Sequence, residues 1–126
     1  MNFAVIENLG DIIVLKLCRD LEGMASVKEF RAILTAMKCH HAKKILFDFH
    51  EIKMIHPDGI IVLLAFAKEF REKGGQLFVR QNTGTVRTFF SIFRINEIFT
   101  EVKDYSEFLH TGNPGDAGNW ETEHAN

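Results

Sequence analysis

The sequence predicts an α/β fold, a two-layer sandwich in which a mixed sheet of four to five strands carries its helices on one face. The first observation is the order of elements. After an initial hairpin, the pattern of strand, helix and strand occurs three times, which indicates parallel crossovers. The second observation is alternation, because one face of each strand is apolar while the other mixes polar and apolar side chains. Right-handed crossovers that progress in one direction then place the helices on a single face.

The first third of the chain predicts a hairpin and a helix. Strands over residues 3–7 and 11–18 flank the turn-forming sequence Asn-Leu-Gly-Asp. Ser26 is a helix start signal, and apolar residues follow it at helical spacing. This pattern predicts the first helix over residues 26–37.

The remaining elements follow from similar signals. Residues 43–49 form a predicted strand, and Pro57 suits the first position of a helix because it has no N–H to leave unbonded. That helix extends to residue 73 and ends at Gly74-Gly75. Later segments predict a strand over 76–81, a helix from residue 83 or 84 to 93, a short strand over 97–102 and a helical turn over 105–109.

Composition limits the classes of protein to consider. The chain has 126 residues, 46% of them hydrophobic, which predicts one domain over residues 1–110. Residues 111–126 are too polar to bury a core and predict a flexible C-terminal tail, which contains the single Trp120. A net charge of −2 without a basic stripe argues against a nucleic-acid partner. With two cysteines, no secretory signal and no membrane span, we expect a cytoplasmic protein.

The segment 48–59 carries the strongest functional signal. It ends an apolar strand, crosses a polar loop and begins an apolar helix at Pro57-Asp58-Gly59. A carboxylate there is expected to lie among free backbone N–H donors, at the positive end of the helix dipole. The segment contains no Ser, Thr or Tyr.

Several motifs resemble the STAS domain of bacterial anti-sigma factor antagonists. Residues 17–22, Leu-Cys-Arg-Asp-Leu-Glu, match the family pattern "L-x-G-E-L-D", with Arg19 replacing Gly and Glu22 replacing Asp. Residues 46–59 match "L-D-L-x-x-V-x-x-I-D-S-S-G" and keep Asp48 and Gly59. Residues 72–77 resemble "x-x-G-G-x-L", and weaker matches follow at 85–90 and 95–99. The resemblance covers about residues 3–109 and implies a STAS-like sandwich.

The resemblance also implies a function. Members are not enzymes; they bind an anti-sigma factor that is also a serine kinase, and phosphorylation of a Ser just before the loop Gly breaks that contact. This Ser falls on Asp58, the preceding family Ser on Pro57 and the loop Asp on His56. The expected function is therefore partner switching in transcription regulation, with Asp58 as a fixed negative charge. A serine phosphatase is a second expected partner, and a homodimer is compatible with the family.

We expect the partner-facing surface to combine the start of the second helix with the loop after the second strand. Its predicted members are His56, Pro57, Asp58, Gly59, Ile61, Val62, Arg19, Asp20 and Glu22. Three of these residues also have a purely structural explanation, which needs no partner. Asp58 complements the helix dipole, His56 is an exposed or capping residue, and neighbouring helices cover Val62.

Two alternative functions remain open at this point. A STAS subunit of a larger complex, such as a lipid transporter, or a ligand-binding STAS domain would have an apolar cavity between helices and sheet. A small enzyme would need a cleft where the acidic and histidine side chains of the loop converge; these are Asp48, His50, Glu51, His56 and Asp58. No cofactor is expected, and no metal site, because no recognised ligand spacing occurs.

Overall fold

A computed structural model of the chain describes residues 3–38, 40–81 and 84–110. The predicted tail at 111–126 with Trp120, and Cys39, lie outside the described residues. The described elements are β1 (Ala4–Asn8), β2 (Ile12–Leu17), α1 (Met24–Met37), β3 (Lys44–Phe49), α2 (Pro57–Glu72), β4 (Gln76–Gln81), α3 (Thr85–Ile92), a 3₁₀ turn (Ile95–Glu97), β5 (Thr100–Glu101) and α4 (Tyr105–His110).

The strands form one mixed sheet in the order β1-β2-β3-β4-β5. The hairpin strands β1 and β2 are antiparallel, and all later neighbours are parallel. The predicted fold class is therefore confirmed. Because β2, β3 and β4 are parallel, the loops that follow them leave the same edge of the sheet, and this edge holds the start of α2.

Two element boundaries differ from the prediction for local reasons. Helix α1 begins at Met24, two residues before the predicted start, so Ser26 lies within its first turn and not at its boundary. The Ser26 hydroxyl donates to the Gly23 carbonyl at 2.7 Å and accepts from the Gly23 N–H at 3.2 Å. The last strand is only Thr100–Glu101, since the 3₁₀ turn that follows the left-handed Arg94 (φ 56°) uses part of the predicted segment.

The main core lies between the sheet and helices α1, α2 and α3. Alternate residues of each central strand face this layer, among them Ile13, Leu15, Ile45, Phe47, Leu77 and Val79. The prediction that the helices share one face holds for these three helices.

The short helix α4 is an exception and lies on the opposite face. There Phe108 packs with Val14, Leu46 and Phe78 in a second apolar cluster. The rings of Phe78 and Phe108 are 5.0 Å apart in an edge-to-face arrangement. The physical reason is that these far-face strand residues are apolar and would otherwise be exposed to water. None of the helices in the described ranges has the length and hydropathy needed to span a bilayer.

Candidate functional site

Two loops meet at the edge of the sheet where β2 and β3 end. Leu21 and Ile55 form a parallel β-bridge. The Leu21 N–H donates to the Met54 carbonyl at 3.1 Å, and the His56 N–H donates to the Leu21 carbonyl at 2.6 Å. The structure thus joins the loop after β2 directly to the segment that leads into α2.

Asp20 strengthens this junction. One of its carboxylate oxygens, Oδ1, accepts the Lys53 N–H at 2.7 Å and the Met54 N–H at 3.4 Å. Two backbone donors of the second loop are therefore satisfied by one side chain of the first. Arg19 and Glu22 flank Asp20 and Leu21 and are exposed. Asp20 consequently has a structural role in the loop junction, whereas Arg19 and Glu22 present their charges to solvent.

His56 caps helix α2. Its backbone is extended, with φ −63° and ψ 140°, and its ring Nδ1 accepts the Asp58 N–H at 3.0 Å. An Nδ1 atom that accepts a hydrogen bond leaves the ring proton on Nε2. Pro57 occupies the first helical position, as predicted. The capping role, one of the two structural explanations for His56, is the one observed.

The expectation of free backbone donors around Asp58 is wrong. Pro57 has no N–H, and the Asp58 N–H is bound by His56. The N–H groups of Gly59 and Ile60 both donate to the His56 carbonyl, at 2.8 and 3.3 Å. The Asp58 carboxylate therefore lies outside any cradle of N–H groups. Its side chain is 48% exposed, and its Oδ2 is 3.9 Å from His56 Nδ1. What remains is a solvent-facing negative charge that the helix dipole favours.

The predicted partner-facing residues of α2 separate into two groups. Ile61 is 59% exposed, and two further exposed apolar side chains, Met54 and Met24, belong to the joined loops and the start of α1. Val62 must be removed from the predicted surface, because it is 8% exposed and packs into the core. A helix covered by neighbours on several sides buries more than one stripe.

Gly59 is also buried, for reasons of packing. A Cβ built at this position would lie 3.2 Å from Leu21 Cδ1 and 3.5 Å from Ile55 Cγ2. The absence of a side chain therefore lets the first turn of α2 approach the joined loops closely.

The acidic and histidine side chains of the loop do not converge on one point. Asp48 is fully buried on the far face of the sheet. Its Oδ2 accepts the Tyr105 hydroxyl at 2.7 Å and an Arg80 N–H at 3.4 Å, and its Oδ1 accepts the His50 N–H at 3.0 Å. Glu51 instead pairs with Lys16 at 3.4 Å. Within the described ranges, no three potential metal-ligating side chains come together.

The partners of Asp48 were not evident from the sequence. Burial, the hydrogen bond to Asp48 and the charge of that carboxylate raise the pKa of Tyr105 to about 12. The pairing with Arg80 could have been predicted from the strand register, because Asp48 and Arg80 are direct partners in the parallel register of β3 and β4. Nothing in the local sequence indicated that Tyr105 would cover them.

The chain is similar to known proteins in structure and not in sequence. No family model and no curated protein sequence matches the chain. Solved structures do match: SpoIIAA, an anti-sigma factor antagonist in its unphosphorylated form, has a TM-score of 0.72 at 18% identity over 87% of this chain and 99% of its own. This chain has the fold of the anti-sigma factor antagonists.

Further structures agree with that assignment. The phosphorylated form of SpoIIAA, a Bacillus cell fate determinant, has a TM-score of 0.65 at 17% identity over 82% of this chain and 94% of its own. An anti-sigma factor antagonist from Mycobacterium paratuberculosis has a TM-score of 0.70 at 12% identity, over 93% of this chain and 91% of its own. The anti-sigma factor antagonist fold predicted from short motifs is thus confirmed.

Proposed function

We propose that this domain is a regulatory protein-interaction module, without catalytic activity, that binds an anti-sigma factor of the serine-kinase type in the cytoplasm. The contact surface consists of the start of α2 and the joined loops beside it. Asp58 supplies a constant negative charge at the position where the family resemblance places a phosphorylated serine. A serine phosphatase is a secondary partner in this scheme.

The observation that carries the proposal is the environment of Asp58. Its carboxylate is half exposed, and the nearby backbone donors are already bound within the domain. A partner therefore meets the charge directly. The shared fold adds support, because SpoIIAA is known in both phosphorylated and unphosphorylated forms.

The surroundings of Asp58 suit a protein contact. Ile61 and Met54 expose apolar side chains next to charged rim residues, and apolar patches with polar rims are typical of interaction surfaces. The bridge between Leu21 and Ile55 holds both loops in place. A surface of this kind requires little ordering upon binding, which favours affinity.

Substitution of Asp58 tests the proposal. Tagged wild-type protein, Asp58→Ser and Asp58→Asn are used to capture proteins from extract of the source cells, and captured proteins are identified by mass spectrometry. Asp11→Asn is the matched control, because it removes an exposed carboxylate beside Lys43 at the opposite edge of the sheet.

We expect an anti-sigma factor of the serine-kinase type whose captured amount changes with both Asp58 variants and not with Asp11→Asn. With ATP, this kinase should phosphorylate Asp58→Ser at residue 58 and leave the wild type unmodified there. A phosphate has a charge of about −1.5 to −2 and three acceptor oxygens, so one carboxylate mimics it only in part. Equal capture by all four proteins, with no phosphate on residue 58, would refute the proposal.

A further inference from the structure

A cavity lies at the edge of the sheet opposite Asp58. It has a volume of about 460 Å³ and is bounded by the C-terminal ends of α1 and α2, the segment before β3 and the Gly74-Gly75 turn. Helix α2 has 16 residues, so about 24 Å separates its start from this end. The volume falls within the range typical of small-molecule sites, about 300–1,000 Å³.

The inner wall of the cavity is apolar. Met37, Ala42, Phe66 and Phe70 line it, and the two phenylalanine rings are stacked with centroids 5.8 Å apart. Phe70 lies directly against the Gly75 backbone, since a Cβ there would be 2.2 Å from the ring. The absence of a side chain at residue 75 therefore makes room for the Phe70 ring.

The mouth of the cavity is cationic. Among the described lining residues, Lys38, Lys43 and Lys73 contribute three ammonium groups, and Glu69 contributes one carboxylate. Glu69 contacts the ammonium groups of Lys38 and Lys73 at 2.9 and 3.5 Å. Its hydrogen bond with Lys38, and the positive charge there, hold the pKa of the Glu69 carboxyl below its usual value. Asp11, 3.9 Å from Lys43, offsets part of the remaining positive charge from outside the cavity.

Asn8 fixes the tautomer of His40, a residue of the cavity lining. His40 Nδ1 lies 3.1 Å from the Asn8 side-chain amide nitrogen, which donates to it. The ring proton of His40 is consequently on Nε2. Apolar walls with a few polar or charged groups that fix the ligand's orientation are typical of small-molecule sites.

From this arrangement we infer that the cavity binds an amphipathic monocarboxylate, with its apolar body against the partly exposed Ala42 and Phe70 and its carboxylate at Lys38 and Lys73. Glu69 already occupies those ammonium groups and therefore competes with the ligand. The inference is independent of the proposed partner surface, because it concerns the other end of α2.

Decanoate, kept below its micelle concentration, is the probe. Amide chemical shifts of ¹⁵N-labelled protein are followed during titration, with decanol and decylamine as uncharged and cationic controls. We expect saturable shifts centred on residues 66–75 with decanoate, weaker binding of decanol and none of decylamine. Absence of saturable shifts there, or equal binding of decylamine, would overturn the inference.

Substitutions test the charge assignment. Exposed ion pairs contribute about 0.2–1 kcal/mol, so Lys38→Gln and Lys73→Gln should each weaken decanoate binding by roughly 1.4- to five-fold. Lys38→Arg should retain binding, and Lys68→Gln, an exposed position of α2 outside the cavity, should not change it. Glu69→Gln should bind decanoate more tightly than the wild type, because the internal competitor is gone. Weaker binding by Glu69→Gln, with an unchanged urea midpoint, contradicts the proposed competition.

Discussion

Removal of the Tyr105 hydroxyl should destabilise the domain by weakening the attachment of α4. Hydrogen bonds to charged groups contribute about 1.5–3 kcal/mol to stability. Asp48 is fully buried, yet Tyr105 is 39% exposed, and Asp48 keeps the contacts from Arg80 and the His50 N–H. We therefore expect Tyr105→Phe to cost about 1.5 kcal/mol, the lower end of that range. The phenylalanine ring can still lie near the Arg80 guanidinium, which is 5.6 Å from the tyrosine ring centroid.

Urea unfolding measured by circular dichroism at pH 7 provides the assay. For an m-value of about 1–3 kcal/mol/M, this loss lowers the midpoint by roughly 0.5–1.5 M without changing the slope. Asp48→Asn supplies the second arm of a double-mutant cycle, since a neutral acceptor needs the hydroxyl less. A cost of under about 0.5 kcal/mol for Tyr105→Phe, or the same cost in both backgrounds, would show that the hydroxyl does not stabilise a buried charge.

Three further predictions concern single residues. Tyr105 is the only tyrosine, so tyrosinate absorbance should titrate near pH 12 in the folded protein. Because the pKa of Tyr105 is raised above the ordinary value of 10, the protonated hydroxyl contributes fully to stability below pH 10, and this contribution is lost as the pH rises through about 12. Titration near 10 in protein shown to be folded would contradict this. His56→Ala should cost about 1 kcal/mol in urea unfolding through loss of the cap, and His56→Asn should recover that loss in full, because asparagine is among the best N-cap residues. Equal stability of all three proteins would show that the ring does not cap α2. Gly59→Ala should be nearly neutral, since a gain of about 1 kcal/mol in helix propensity offsets the 3.2 Å contact with Leu21, whereas Gly59→Leu should lose about 1–3 kcal/mol. A well-tolerated leucine would argue against close packing at this position.

Much of the fold could be predicted because local patterns agreed with the tertiary structure. Pro57 and Gly74-Gly75 bounded α2, and the alternation of apolar residues assigned the strands to the correct faces. The position of α4 could not be predicted with the same reasoning. Its placement depends on which apolar strand residues the other helices leave exposed to water. The apolar far-face residues Val14, Leu46 and Phe78 indicated that a further element packs on that face.

The candidate site was predictable in outline and not in detail. The parallel order of β2 and β3 was enough to place their following loops side by side. The burial of Val62 depends on how closely the neighbouring helices approach α2. The periodicity of a single helix does not indicate that distance. The cap on α2 was harder still, since histidine is not among the favoured N-cap residues and its ring had to be in a suitable orientation to accept the Asp58 N–H.

The closed hydrogen bonding in the first turn of α2 has a consequence for the proposed interaction. Since Asp58, Gly59 and Ile60 already donate within the turn, a group at position 58 can gain or lose charge without recruiting the domain's own main chain. In the proposed function, the charge at position 58 is therefore recognised only through cationic groups that the partner itself supplies.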